Sequence, residues 1–311
     1  MSDTMLILFS GVLGLLVVAS GVGFALGRRV RTPAGRATVD NLNARIKAWW
    51  LMVAVFALAT TLGSTVTLML FALTSFYCLR EFLSITPTRA ADHNAVAAAF
   101  YVFIPLQYWL IADDWKTLFS ILIPVWAFLL LPVLSVLRGE TADFLARTAR
   151  IQWALMLAVY CISHAPALLL LEIEGFEENF LLLFFLIAIV QLSDVLQYVF
   201  GKLFGKRKVA PRVSPAKTWE GLLGGGISAT LIGAGLWWIT PFQPGQAAAL
   251  AGAIVIAGFA GGLVLSAVKR SLGAKDWGTM IEGHGGVLDR MDSVSFAAPV
   301  FYHLTNYYFA A

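Results

Sequence analysis

Long apolar stretches separated by basic loops constrain this chain more than any other feature. A helix needs about 20 apolar residues to cross a bilayer. Ten stretches read as such spans, near 5–27, 47–62, 64–79, 95–112, 117–137, 151–171, 179–200, 221–240, 246–268 and 294–309. The second and third are short and meet at Gly63, so they read either as two spans or as one bent unit. With 59% hydrophobic and only 13% charged residues, an ordinary soluble domain is excluded. The runs lack strand-like alternation, which favours helices over a barrel. The expected fold class is therefore an all-α polytopic membrane protein of about ten transmembrane helices.

Charge sets the expected orientation. In this topology 21 of the 22 Lys and Arg residues fall in every second loop, and only Lys116 lies on the other side. Asp113, Asp114, Glu172, Glu174, Glu177 and Glu178 join Lys116 there. Basic residues mark the cytosolic side, so both termini are expected outside. The first span reads as an anchor, because Arg28 and Arg29 follow its apolar core rather than precede it. The net charge of +4 then calls for no nucleic-acid partner. Cys78 and Cys161 sit in separate apolar runs and read as small buried side chains. By texture the chain divides into N-terminal transmembrane helices, 1–175, and a C-terminal catalytic region, 176–311.

Three constellations in the second region carry chemistry. The first is the loop from Phe200 to Gly221. Positive-inside topology explains Lys202, Lys206, Arg207 and Lys208, but not the run Ser214-Pro215-Ala216-Lys217-Thr218-Trp219-Glu220-Gly221. Ser214, Lys217 and Thr218 there lead into a helix whose free N–H groups suit a phosphate. The second is Asp194, about 9 Å inside the span that ends near Phe200 at roughly 1.5 Å per residue. A carboxylate so placed needs a partner, a metal or a cavity. The third runs from Ser266 to Asp292. It holds Lys269, Arg270, Lys275, Asp276, the turn Gly283-His284-Gly285-Gly286, Asp289, Arg290 and Asp292. Asp289 and Asp292 share a helix face. Their carboxylate chemistry suits Mg²⁺, whose remaining ligands are often substrate phosphates. Glycines spaced four apart, at 221 and 225 and at 258 and 262, suit close helix packing around a site.

These residues resemble the signature of the phosphatidate cytidylyltransferases, or CDP-diacylglycerol synthases. That signature is matched by Ser266, Lys269, Arg270, Lys275, Asp276, His284, Gly285, Gly286, Asp289, Arg290 and Asp292. Its upstream element is matched by Asp194, Phe204, Gly205, Lys206, Pro211, Ser214, Pro215, Lys217, Thr218, Glu220 and Gly221. Two positions depart. Glu282 stands where proline is usual, and Gln197 where alanine precedes Tyr198. The departures suit a divergent paralogue acting on a related lipid.

The resemblance implies transfer of CMP from CTP to phosphatidate at the cytosolic face of the inner membrane, with pyrophosphate released. Catalytic candidates are Lys275, Asp276, His284 and Asp289. Ser214, Lys217, Thr218, Lys269, Arg270 and Arg290 are expected to bind substrate. Asp194, Asp276, Asp289 and Asp292 are expected to hold one or two Mg²⁺ ions, with a monovalent ion as an alternative second occupant. Expected partners are CTP, a lipid phosphate and the bilayer, with a homodimer compatible. Alternatives are a different lipid-phosphate acceptor and, from another class, a transporter. The latter would spread its ionisable groups toward the midplane.

Overall fold

In the computed structural model, residues 3–30, 32–281 and 285–310 are described. Ten long helices run through them. They are α1 (Asp3–Arg29), α2 (Pro33–Thr61), α3 (Ser64–Ser84), α4 (Ala90–Ala112) and α5 (Lys116–Val136). Then follow α6 (Phe144–Leu170), α7 (Phe180–Phe204), α8 (Trp219–Gly235), α9 (Pro244–Ser271) and α10 (Leu288–Phe309). Each expected apolar stretch thus appears as a helix. Eight are long and apolar enough to cross a membrane. The two that are not are α8, with 17 residues, and α10, whose ends are polar. The fold is that of an all-α polytopic membrane protein, with one short antiparallel hairpin, β1 (Lys208–Ala210) and β2 (Ser214–Thr218).

Local chemistry sets several boundaries. Gly63, with a φ of +107°, breaks the chain between α2 and α3, so these are two helices rather than one bent unit. Thr32 caps α2 through its hydroxyl, and Pro33 occupies the first turn, where its missing N–H costs nothing. As a result α2 starts well before residue 47, and Arg36, Arg45 and Lys47 ride on a helix rather than a loop. Three π-helical segments interrupt the α pattern at Ala99–Phe103, Leu122–Ala127 and Met156–Cys161. The first two adjoin or contain a proline, Pro105 and Pro124, whose ring removes a ladder donor.

The centre of the bundle is α6, whose most apolar window is 67% buried, against 17% for α1 and 6% for α2. The α1–α2 hairpin is peripheral, and Leu15, Val18, Leu51 and Leu58 on it are all at least 60% exposed. An apolar surface of this size suits contact with lipid or with another protein.

The polar segments 88–94 and 139–150, which lie at the joins between long helices, are clasped together. Arg89 pairs with Glu140 at 2.6 Å and with Asp143 at 3.1 Å. α6 begins at Phe144, so Arg147 enters the interior, where its Nε lies 3.1 Å from both oxygens of Asp92. Both side chains are almost fully buried. Apolar surroundings forbid leaving either charge alone, and breaking one such pair costs about 3–5 kcal/mol. Asp92→Ala should therefore lower the thermal unfolding midpoint of the purified protein far more than Glu140→Ala at the exposed rim. Equal midpoints for the two variants would contradict this.

Candidate active site

The end of the bundle that carries the clasp also gathers the charged motifs. α7 runs on to Phe204, so Asp194 lies ten residues inside it, about 15 Å from the helix end at roughly 1.5 Å per residue. This is deeper than the sequence spacing suggests. The following basic loop folds back as the hairpin, with Lys208 opposite Thr218 and Ala210 opposite Ser214. Glu220 holds it there, accepting from the backbone N–H groups of Lys206 and Arg207 at 3.1 Å.

The start of α8 is not an open anion cradle. Thr218 is buried, and its hydroxyl accepts from Gly221 N at 3.0 Å as the helix cap. Trp219 N donates to Arg207 O at 3.0 Å. Protein groups already take the donors that were expected to meet phosphate. Thr218 therefore positions this segment, while Lys217 next to it points inward. Its ammonium donates to Phe259 O at 3.3 Å and sits 4.6 Å from the Phe259 ring centroid. Burial pushes this ammonium below its ordinary pKa, and nearby Asp194 and Asp292 pull it back up. Ser214 is half-buried at the start of the same strand.

The expected glycine spacings do shape the site. A Cβ on Gly221 would lie 2.7 Å from Gln197 O, so α8 lies directly against the α7 backbone. Gln197 itself turns along α7 and donates to Ser193 Oγ at 2.6 Å. On α9, a Cβ at Gly262 would lie 2.5 Å from Lys217 Nζ, and one at Gly261 would lie 2.7 Å from Asp292 O. These two positions leave the room that Lys217 and α10 occupy.

The candidate acids sort into groups with different degrees of compensation. Asp194 and Asp292 come together across α7 and α10, close enough to interact as like charges. Ser293 joins them: its hydroxyl donates to Asp194 Oδ1 at 3.2 Å and its N–H to Asp292 Oδ1 at 2.7 Å. Lys217 and Arg290 supply the neighbouring positive charge. Arg290 Nε is buried with no hydrogen-bond partner among the described residues. A buried guanidinium donor needs an acceptor, and the described residues do not supply one.

Asp289 behaves differently. The signature spacing puts it among metal ligands, yet both its oxygens are engaged within the protein. Oδ1 accepts from Lys269 Nζ at 2.6 Å, and Oδ2 accepts from Trp277 N and Gly286 N, each at 2.9 Å. Lys269, expected to bind substrate, is buried in this pair. Asp289 thus ties the loop after α9 to the start of α10. Gly285 is required beside it, having a φ of +82° and space for a Cβ only 2.7 Å from Asp289 Oδ2. Asp276 stands near Gly285, and Lys275, Asp276 and Arg270 are exposed. His284 and Glu282 lie outside the described residues. Among the described residues no three acidic, His or Cys side chains cluster as a closed metal cage. The pair Asp194 and Asp292 still fits Mg²⁺, which commonly takes one or two carboxylates and completes its shell with water and substrate phosphate.

One contributor is absent from both motifs. Glu81, on α3, is 8% exposed and reaches across the bundle to the start of α10. It accepts from Val287 N at 2.9 Å and Leu288 N at 2.8 Å, so it caps a helix more than 200 residues away in sequence. A Cβ on Gly278 would lie 2.8 Å from its Oε1, and one on Gly286 would come closer still to its Oε2. Next to it, Phe82 stacks on the fully buried Trp277 with ring centroids 4.8 Å apart. Glu81 is the one acid of α3, and it sits just past the apolar run at 64–79, beside Arg80.

The fold and site define an integral membrane protein with a charged centre recessed in a helical bundle. The profile of the Cytidylyltransferase family matches residues 43–308, and the chain belongs to that family. It is 39% identical over 94% of its length to the uncharacterised protein YnbB of Escherichia coli, covering 95% of that protein. It is 38% identical over 54% of its length to the phosphatidate cytidylyltransferase of Mycobacterium leprae, covering 50% of it. It is 35% identical over 57% of its length to that of Haemophilus influenzae, covering 64%.

The two groups of acids should separate on substitution. Asp289→Asn leaves Lys269 buried without its counter-charge and should cost about 3–5 kcal/mol of stability. Asp292→Asn removes a charge that lacks a close ion pair, so its unfolding midpoint should stay near that of the parent while turnover falls. Thermal unfolding of both variants in one detergent checks this, and a larger loss for Asp292→Asn would reverse the assignment.

Proposed function

We propose that this protein transfers a cytidylyl group from CTP to a lipid phosphate, with phosphatidate the first candidate, giving CDP-diacylglycerol and pyrophosphate. The observation that carries this reading is the incompletely compensated cluster of Asp194, Asp292, Lys217 and Arg290, in a chain of the Cytidylyltransferase family. In the reaction an oxygen of the lipid phosphate forms a bond to the α-phosphorus of CTP. The bond from that phosphorus to the bridging oxygen breaks, and pyrophosphate leaves with the electron pair. The attacking oxygen is already anionic, so no general base is required.

Such a transfer depends on positioning and charge more than on covalent chemistry. Lys217 and Arg290 bring cationic donors to the phosphates from two elements. Asp194 and Asp292 would hold one or two Mg²⁺ ions, and a metal there would supply neutralisation of triphosphate charge. Asp289, Lys269 and Glu81 keep the first turn of α10 in place, so that Arg290 and Asp292 are presented together. Asp276, Lys275, Arg270 and Ser214, toward the open side, are assigned to CTP entry. Basic-loop bias supports a cytosolic face of the inner membrane for this end.

A related lipid phosphate is the second candidate acceptor: the uncharacterised YnbB matches over 95% of its length, while the phosphatidate cytidylyltransferases of Mycobacterium leprae and Haemophilus influenzae match over 54% and 57% of this chain. A related lipid phosphate would use the same centre. The test is pyrophosphate release from CTP by purified protein, against a panel of lipid phosphates, with Mg²⁺ and with EDTA. Release should require both lipid and metal. Asp194→Asn and Lys217→Met should each reduce it by about 100-fold or more, the scale for losing one preorganised charge contact. Metal-independent release, or variants near parental rate, would overturn the reading.

A further inference from the structure

Three helices, α5, α6 and α10, enclose an apolar groove of about 640 Å³. That volume falls within the range of small-molecule sites. Its walls include Phe128 and Leu131 on α5, Ala149 and Met156 on α6, and Phe296 and Val300 on α10. Neither signature motif touches most of it, and none of the roles assigned above uses it.

Two features mark it as more than a gap between helices. Two of its walls are π-helical over part of their border: Ile123 and Ala127 lie in the Leu122–Ala127 segment, and Met156, Leu157 and Cys161 in the Met156–Cys161 segment. A π turn widens a helix at a cost in hydrogen-bond geometry and recurs at functional sites. The groove also comes within about one helical turn of the charged centre along α10. Ser295 lines it and donates to the carbonyl of Asp292 at 2.8 Å. Phe296 lines it too and lies against Gly261, the glycine that abuts Asp292.

The length suits an acyl chain. From Leu145 to Cys161 the α6 wall runs about 24 Å at roughly 1.5 Å per residue, more than the ~15 Å depth of one hydrocarbon leaflet. The side is open, since Phe128, Leu145 and Trp153 on its rim are 52%, 81% and 49% exposed. A chain seated against Ser295 and Phe296 would have Asp292 about one helical turn away on α10.

We propose that this groove holds an acyl chain of the lipid-phosphate acceptor, and that its shape contributes to acceptor choice. The proposal rests on the cytidylyl-transfer reading for the identity of the headgroup. Bulk lipid filling the same groove is the competing occupant.

Two measurements on the full-length protein separate the cases. Ala149→Trp and Val300→Trp each narrow the groove from a different helix. In each, the ratio of KM for dipalmitoyl phosphatidate to KM for dihexanoyl phosphatidate should rise about tenfold, the scale of a hydrophobic pocket losing fit. An unchanged ratio in both variants overturns the proposal. Independently, and without CTP, a phosphatidate carrying a diazirine at its chain end should label Phe128, Met156 or Val300. Unlabelled phosphatidate should compete and phosphatidylcholine should not. Equal competition by the two, or labelling elsewhere, means bulk lipid only and overturns the proposal. Parent protein inactive on every lipid phosphate but still labelled selectively would count against the transfer reaction and leave the groove standing.

Discussion

The cost of placing charge inside an apolar helical bundle governs this structure. Each buried ion must be neutralised by a partner, by hydrogen bonds, or by something that arrives later. Arg147 and Asp92 meet the requirement within the protein, and so do Asp289 and Lys269. Asp194 and Asp292 meet it only in part. They share a serine, face two cations at longer range, and sit beside a guanidinium nitrogen with no acceptor among the described residues. The site is where the protein's own compensation is incomplete.

Compensated charges hold the incomplete ones in register. Asp289 fastens the loop after α9 onto α10, and Glu81 caps the same helix from α3. Two independent anchors on one helical turn fix the direction in which Arg290 and Asp292 project. The N-terminal helices are thus part of the centre's support, although the signature residues all come from the second half of the chain. The glycines of α8 and α9 then let three backbones approach closely enough for Lys217 to reach between them.

Much of this was legible from local pattern. Ten apolar runs became ten helices, because length and hydropathy are properties of a contiguous stretch. Both charged motifs stood out against an apolar background, and the structure brings Asp194 to Asp292 from 98 positions apart. What could not be read was which acid each cation would choose. Asp289 and Asp292 look alike on a helix face, and only the folded loop shows that Trp277 and Gly286 donate to the first. Glu81 left no periodic trace, because its partners are backbone N–H groups that carry no side-chain signature. Arg147 read as a loop charge because α6 begins at Phe144, ahead of the apolar run that starts near 151, and its partner Asp92 lies 55 positions away.

If charge compensation at Asp194 and Asp292 is completed by a metal-bound nucleotide, binding must stabilise the fold. The direct measurement is the thermal unfolding midpoint of the parent protein and of Asp194→Asn, each with and without Mg²⁺ and CTP and with no lipid present. The midpoint of the parent should rise only with both ligands together, and that of Asp194→Asn should not rise. No rise in the parent, or an equal rise in the variant, would contradict this.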